Sequence, residues 1–178
     1  MKNKEKYISV DVETSGPVPG EYSLLSIGAC VVNGSESTFY RELKPDSPRH
    51  DAQALAVAGL DLSVLAREGH TPAEAMRHFK SWVESVAEPD KKVIFVGFNA
   101  PFDWSFINYY FHKYTNENPF GFSALDIKAY YMGLTGCHWE ETKSSLITRK
   151  LDLKLQPSHN ALDDARFQAE LFAAILKN

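Results

Sequence analysis

Apolar and polar side chains alternate from Tyr7 to Glu13, with Ile8, Val10 and Val12 on one side and Tyr7, Ser9, Asp11 and Glu13 on the other. A period of two is the pattern of a β-strand. Thr14-Ser15-Gly16-Pro17 and Pro19-Gly20 break it into a loop. Leu24–Val32 predicts a second strand, and the Asn33-Gly34 turn folds it back onto a third, Ser37–Glu42. The chain therefore opens with three strands, read as an antiparallel meander.

Helical spacing then takes over. Asp51–Ala58 and Thr71–Ala87 predict helices, the second with Thr71 as N-cap, Pro72 in the first turn and Glu74 completing a capping box. Val93–Phe98 is a short apolar run of the buried-strand type. A helix is expected from about Pro101 to Lys113, a short strand over Phe120–Leu125, a helix capped by Asp126 and running to about Leu134, and a last helix from about Asn160 to Leu176. Thr135–Pro157 has no clear period and is expected to be loop. Strands first, then helices alternating with single strands, predict an α/β fold in which a mixed sheet carries helices on its faces.

Composition narrows the class. Apolar residues make up 44% of the 178 positions and charged residues 24%, the mix of a globular chain with room for one core, so a single domain over 1–178 is expected. A net charge of -4 argues against a broad basic surface that coats nucleic acid or anionic membrane, but not against a local phosphate site. Two cysteines, Cys30 and Cys137, cannot build a disulfide scaffold, so a reducing cytoplasmic setting is expected. Cys30 lies in an apolar strand and reads as core. The basic start Met1–Lys6 meets Asp11 and Glu13 before a signal-peptide core can form, and no apolar run approaches the roughly 20 residues that span a bilayer.

The chemistry lies in carboxylates at positions where apolar side chains are expected. Asp11 and Glu13 share one face of the first strand, with Cα atoms roughly 6.6 Å apart at strand rise. An edge strand with a wet face is the simpler reading, but Ile8, Val10 and Val12 suggest a central strand. On a helical wheel, Asp164 falls inside the apolar arc of Ala161, Gln168, Leu171, Phe172 and Ile175, while Asp163 falls with Arg166, Glu170 and Lys177 on the polar side. Asp103 shares a stripe with Phe106, Ile107, Tyr110, Phe111 and Tyr114, although its place in a first helical turn also suits the macrodipole.

Two charges about 5 Å apart at an effective dielectric near 20 repel by roughly 3 kcal/mol. Four inward carboxylates must therefore protonate, find basic partners or bind cations. An all-oxygen ligand set suits Mg²⁺ or Mn²⁺ rather than zinc, and two such ions offset four carboxylates in formal charge. His159, just ahead of the last helix, is a residue type that commonly serves as a general base; alone it would read as a surface or helix-start residue. The other histidines have no partner at a telling spacing. No G-x-S-x-G, G-x-G-x-x-G, Walker A or H-E-x-x-H motif occurs.

Val10-Asp11-Val12-Glu13-Thr14, Phe98-Asn99-Ala100-Pro101-Phe102-Asp103 and His159-Asn160-Ala161-Leu162-Asp163-Asp164-Ala165 resemble the three motifs of the DEDDh 3′–5′ exonucleases, the superfamily of polymerase proofreading subunits, ribonuclease T and oligoribonuclease. The resemblance runs from about Tyr7 to Leu176. It implies a ribonuclease H-like fold, a five-stranded mixed sheet with helices on both faces. It also implies that Asp11, Glu13, Asp103 and Asp164 ligate two Mg²⁺ or Mn²⁺ ions, with His159 as general base. Thr14 and Phe102 would help hold the terminal nucleotide. The implied reaction is two-metal hydrolysis of the terminal phosphodiester at a single-stranded DNA or RNA 3′ end, releasing a 5′-nucleoside monophosphate. The first motif lacks the methionine of D-x-E-M-T, which argues against an oligoribonuclease, and a stand-alone exonuclease without a polymerase-binding tail is expected.

Lys143, Arg149, Lys150 and Lys154 precede His159 and are either phosphate contacts or a solvated loop. Phe102 and Trp104 are candidates for base stacking, with core packing as the alternative. A homodimer follows from family analogy only, with no stripe in the sequence to specify it. Two rival readings stand beside the exonuclease: a non-catalytic ribonuclease H-like module that binds nucleic acid or protein, and a metal-dependent endonuclease on the same scaffold.

Overall fold

The N-terminal alternation becomes β1, Glu5–Thr14, the middle strand of a five-stranded sheet in a computed structural model that describes residues 4–34, 37–154 and 156–177. Met1–Asn3 of the basic start and Leu155 of the expected loop lie outside those residues. β2, Leu24–Val31, and β3, Thr38–Glu42, complete the antiparallel meander. β4, Lys92–Gly97, runs parallel to β1 on its other side, and β5, Ala124–Asp126, runs parallel to β4. The order β3-β2-β1-β4-β5 makes β1 central, which removes the edge-strand explanation for its two acids.

The described residues form seven helices, α1 (Ala52–Ala58), α2 (Leu62–Glu68), α3 (Pro72–Val86), α4 (Ala100–Thr115), α5 (Ile127–Thr135), α6 (Ser144–Lys150) and α7 (Ala161–Ile175), with a 3₁₀ turn over Trp139–Thr142. Ile8, Val10 and Val12 project into one core with Met76, Phe79 and Phe106 of α3 and α4. The opposite face packs on a second core that includes Ile127 of α5, Ile147 of α6 and Phe172 of α7. Tyr7 meets the Phe172 ring edge-on at 5.3 Å on that side. Helices therefore lie on both faces, as the pattern predicts.

The capping box of α3 forms as read: the Glu74 N–H donates to Thr71 Oγ1 at 3.3 Å and the Thr71 N–H to Glu74 Oε2 at 3.1 Å. Most aromatics between Phe95 and Phe122 are core. Trp104 packs edge-on to Phe95 at 5.2 Å, which makes it a packing residue rather than a stacking platform. Two helices depart from expectation. α2, capped by Asp61, buries only Leu65, and α6, inside the expected loop, buries only Ile147 and Thr148. Seven-residue helices with one or two inward side chains carry no stripe to read.

One glycine decides how α7 approaches the sheet. Gly28 of β2 pairs with Asp11. A Cβ there would stand 2.1 Å from the Ala161 carbonyl carbon and oxygen, so glycine lets the first turn of α7 rest directly on the strand. Asp164, also in that turn, is thereby lowered toward β1. Among the described residues no helix is long and apolar enough to cross a membrane.

Candidate active site

Three elements deliver the acids. Asp11 and Glu13 leave β1 on the same face, two residues apart, and the register slips between Glu13 and Thr14, an irregularity of the kind that re-aims side chains beside functional sites. α7 brings Asp164. One ligand oxygen from each of Asp11, Glu13 and Asp164 lies within 4.8 Å of the others. Asp103 of α4, only 5% exposed, stands beside this group rather than within it. Beyond Ser9↔Val96 the pairing of β1 with β4 ends, and the Val12 N–H donates instead to Asp103 Oδ1 at 3.1 Å. The first-turn acid therefore serves a tertiary contact, not the macrodipole alone.

The joint that aims α4 is also polar. Asn99 turns the chain at φ +64°, a conformation asparagine tolerates, and its side chain makes no capping bond. Asp126 substitutes: its Oδ1 accepts the Ala100 N–H and its Oδ2 the Ala129 N–H, both at 2.9 Å. One carboxylate thus ties the start of α4 to the start of α5.

Gln168 lies one turn beyond Asp164. Its Nε2 donates to Asp11 Oδ1 at 2.5 Å, while its Oε1 accepts the Phe98 N–H at 2.8 Å. On the helical wheel it shares the apolar arc with Asp164, and the sequence alone assigns it no role. A long amide on an inward arc, four residues after an inward acid, was the available signal.

Asp164 reaches back over its own N-terminus. Its Oδ1 accepts the Ser158 N–H at 2.7 Å and its Oδ2 the His159 N–H at 3.0 Å. His159 sits at φ +59° with its residue exposed, outside the carboxylate group. Asn160 caps α7 by accepting the N–H groups of Leu162 and Asp163. Asp163 is exposed and pairs with Arg166 at 3.3 Å, so of the two adjacent acids it is Asp164 that meets β1.

Thr14 and Phe102 are brought together. They line a cavity of about 460 Å³ with Glu13, Pro17, Ala54 and Val57, beside the acids. Thr14 Oγ1 donates to the Gly16 carbonyl at 2.9 Å, and the half-buried Phe102 packs on Phe106 at 5.5 Å. The four cations ahead of His159 are not gathered in one place. Arg149 and Lys154 line a groove of about 1010 Å³ that also reaches Gln156 and Pro157, while Lys150 faces the Tyr131 ring in a smaller cavity that Arg149 also lines.

Burial and mutual repulsion disfavour ionisation of Asp11, Glu13 and Asp103. Burial, then the charges of Asp103, Glu13 and Asp164, push the Asp11 carboxyl well above its usual range, against the opposing bond from Gln168. Burial and then Asp164 raise Glu13 to about 7. Burial raises Asp103 to about 8, opposed by the Val12 N–H and reinforced by Glu13 and Asp126. No Lys, Arg or His forms an ion pair with Asp11, Glu13, Asp103 or Asp164 among the described residues. An all-oxygen set with unbalanced negative charge fits hard divalent cations, and no His or Cys joins the group as zinc sites usually require.

A family model, the 3′–5′ exoribonuclease Rv2179c-like domain, matches residues 6–176. The 3′–5′ DNA exonuclease Cap18 of Escherichia coli is 52% identical over 175 residues, covering 98% of this chain and 94% of that protein. Among solved structures, the nuclease domain of 3′hExo, a DEDDh family member bound to rAMP, superposes with a TM-score of 0.80 at 14% identity, over 99% of this chain and 94% of that one. Escherichia coli exonuclease I in complex with a dT13 oligonucleotide superposes with a TM-score of 0.74 at 16% identity over 98% of this chain, which spans 41% of that longer protein.

Proposed function

The chain belongs to the 3′–5′ exoribonuclease Rv2179c-like domain family and is a 3′–5′ exonuclease of the DEDDh type, and we propose that it shortens single-stranded nucleic acid in a divalent-metal-dependent reaction that releases 5′-nucleoside monophosphates. The observation that carries this is the convergence of Asp11, Glu13 and Asp164, with Asp103 alongside and no basic ion-pair partner among the described residues.

Asp11, Glu13, Asp103 and Asp164 are the residues that would hold two Mg²⁺ or Mn²⁺ ions. Such ions, when bound, polarise the scissile phosphodiester and acidify a water that attacks it. The protein prepares its ligands in advance: Gln168 orients Asp11, and the Val12 N–H orients Asp103. His159 takes the proton from the attacking water as general base. Its backbone is held for this by Asp164, so a ligand and the base are set by one carboxylate. Thr14 and Phe102 receive the terminal nucleotide in the cavity beside Glu13. The free thiols Cys30 and Cys137 fit a reducing, cytoplasmic setting.

The sugar preference has two pointers. The family description names an exoribonuclease, and the 52% identical relative is a DNA exonuclease; the nearer likeness puts DNA first. The test uses 5′-labelled DNA and RNA single strands of one sequence, with Mg²⁺, Mn²⁺ or EDTA, and an Asp103→Ala control. The expected result is a ladder that shortens from the 3′ end, fastest on DNA, absent in EDTA and in the variant. A folded, metal-bound protein with no ladder on either strand would favour the binding-module reading instead. Cleavage of a circular strand, which lacks a 3′ end, would favour an endonuclease.

A further inference from the structure

Phe98 and Phe102 bracket the start of α4 from opposite faces of the sheet. Phe102 packs with the core under α3 and α4, and Phe98 with the core under α7. The terminal-nucleotide cavity occupies the Phe102 side. On the Phe98 side, the Lys128 ammonium lies 5.9 Å from the Phe98 ring centre and 4.2 Å from that of Trp139. Trp139, on the 3₁₀ turn, remains 52% exposed. Lys128 makes no ion pair among the described residues. Glu141, two residues beyond Trp139, is engaged by the His138 N–H.

This group is registered to the carboxylates by hydrogen bonds. Gln168 links the Phe98 N–H to Asp11, and Asp126 joins the first residue of α4 to the first turn of α5, which carries Lys128. An acidic chain has little long-range attraction for a polyanion, so its cations must act at short range and in place. A fixed ammonium can neutralise one phosphate, and a half-exposed indole offers a face on which any base stacks.

We propose that Phe98, Lys128 and Trp139 form a second subsite that holds the single strand on the 5′ side of the nucleotide being removed. Lys128 pairs with a backbone phosphate, and Trp139 stacks on a base. The subsite tolerates any sequence, because stacking and charge carry no base-edge readout. It rests on the exonuclease reading above.

The test compares two substrates: a ten-nucleotide single strand, and the p-nitrophenyl ester of thymidine 5′-monophosphate, which has no upstream strand. Trp139→Ala is expected to lower the ratio of kcat/KM on the strand to that on the ester by about tenfold, with Trp139→Phe restoring most of it. Lys128→Gln is expected to reduce the steepness of log KM against log salt for the strand by about 0.7, the loss of one phosphate contact. A ratio and a salt slope that neither variant changes would overturn the subsite while leaving the exonuclease intact. Wild-type protein that cleaves neither substrate with Mg²⁺ or Mn²⁺ would remove the reading on which the subsite rests.

Discussion

Asp46 and Asp11 are both aspartates drawn out of water, and the protein treats them in opposite ways. Burial alone would raise the Asp46 carboxyl, but the Tyr110 and Tyr114 hydroxyls and the Lys113 ammonium donate to it at 2.6, 2.7 and 3.1 Å and hold it below the usual carboxylate range. Asp11 receives one bond from Gln168 and faces three other acids, and its carboxyl is driven well above that range. Asp46 is solved from within: its three donors pin the segment after β3 to α4, and its N–H donates to Ser23 Oγ at the start of β2. Asp11 is left unsolved by the chain itself. A carboxylate cluster that no basic side chain balances among the described residues suits the divalent cation proposed above.

The sharpest break of this comparison is a paired substitution. Asp11→Asn is expected to abolish the 3′-end ladder, a loss on the order of a thousandfold or more, while raising the melting temperature in EDTA because repulsion is relieved. Asp46→Asn should do the reverse, retaining cleavage while melting a few degrees lower as its bond with Lys113 weakens. Equal losses of activity in the two variants would erase the distinction.

His159→Ala is expected next in size, cutting turnover by about 10² to 10⁴ with divalent-ion affinity by calorimetry retained. Lost affinity with normal turnover per bound metal would instead make His159 part of the ion site. Gly28→Ala follows: the added methyl meets the Ala161 backbone, so α7 must lift. A cost of about 1–3 kcal/mol in chemical denaturation is expected, together with weakened metal binding as Asp164 withdraws. Undiminished metal affinity would show that the two ends of the cluster are independent.

The smallest effect is on pH. Between the ordinary carboxylate range and about 7 for Glu13 or about 8 for Asp103, the folded chain keeps protons that the unfolded chain has released. Stability in EDTA must therefore fall as pH rises through this window. Melting curves from pH 5 to pH 8 should show a decline of several degrees that Mg²⁺ removes. Asp46, with its lowered pKa, has the opposite sign: its contribution is present above the ordinary carboxylate range and is lost only on acidification. A flat profile in EDTA would mean that the cluster is relieved by solvent.

Much of the fold and the acids was legible because the relevant signals are local. A period of two placed Asp11 and Glu13 on one face of β1, and the wheel of α7 separated Asp164 from Asp163, which in the structure pairs with Arg166 at the surface. The antiparallel opening and the capping box of α3 followed from turn and cap chemistry within a few residues. α2 and α6 were missed because one or two inward side chains in seven make no period. Trp104 was undecided because an aromatic reads the same from sequence whether it meets Phe95 or a base.

In the longer elements, periodicity along the chain marks which side chains point inward, since backbone geometry repeats every two or 3.6 residues. What they meet there is fixed by how the elements pack. Asp103 finds the Val12 N–H 91 residues away, Gln168 finds Asp11 at a separation of 157, and Gly28 leaves the space in which α7 lies. Those contacts depend on strand register and helix approach, which are set by packing across the whole chain and leave no periodic mark along it.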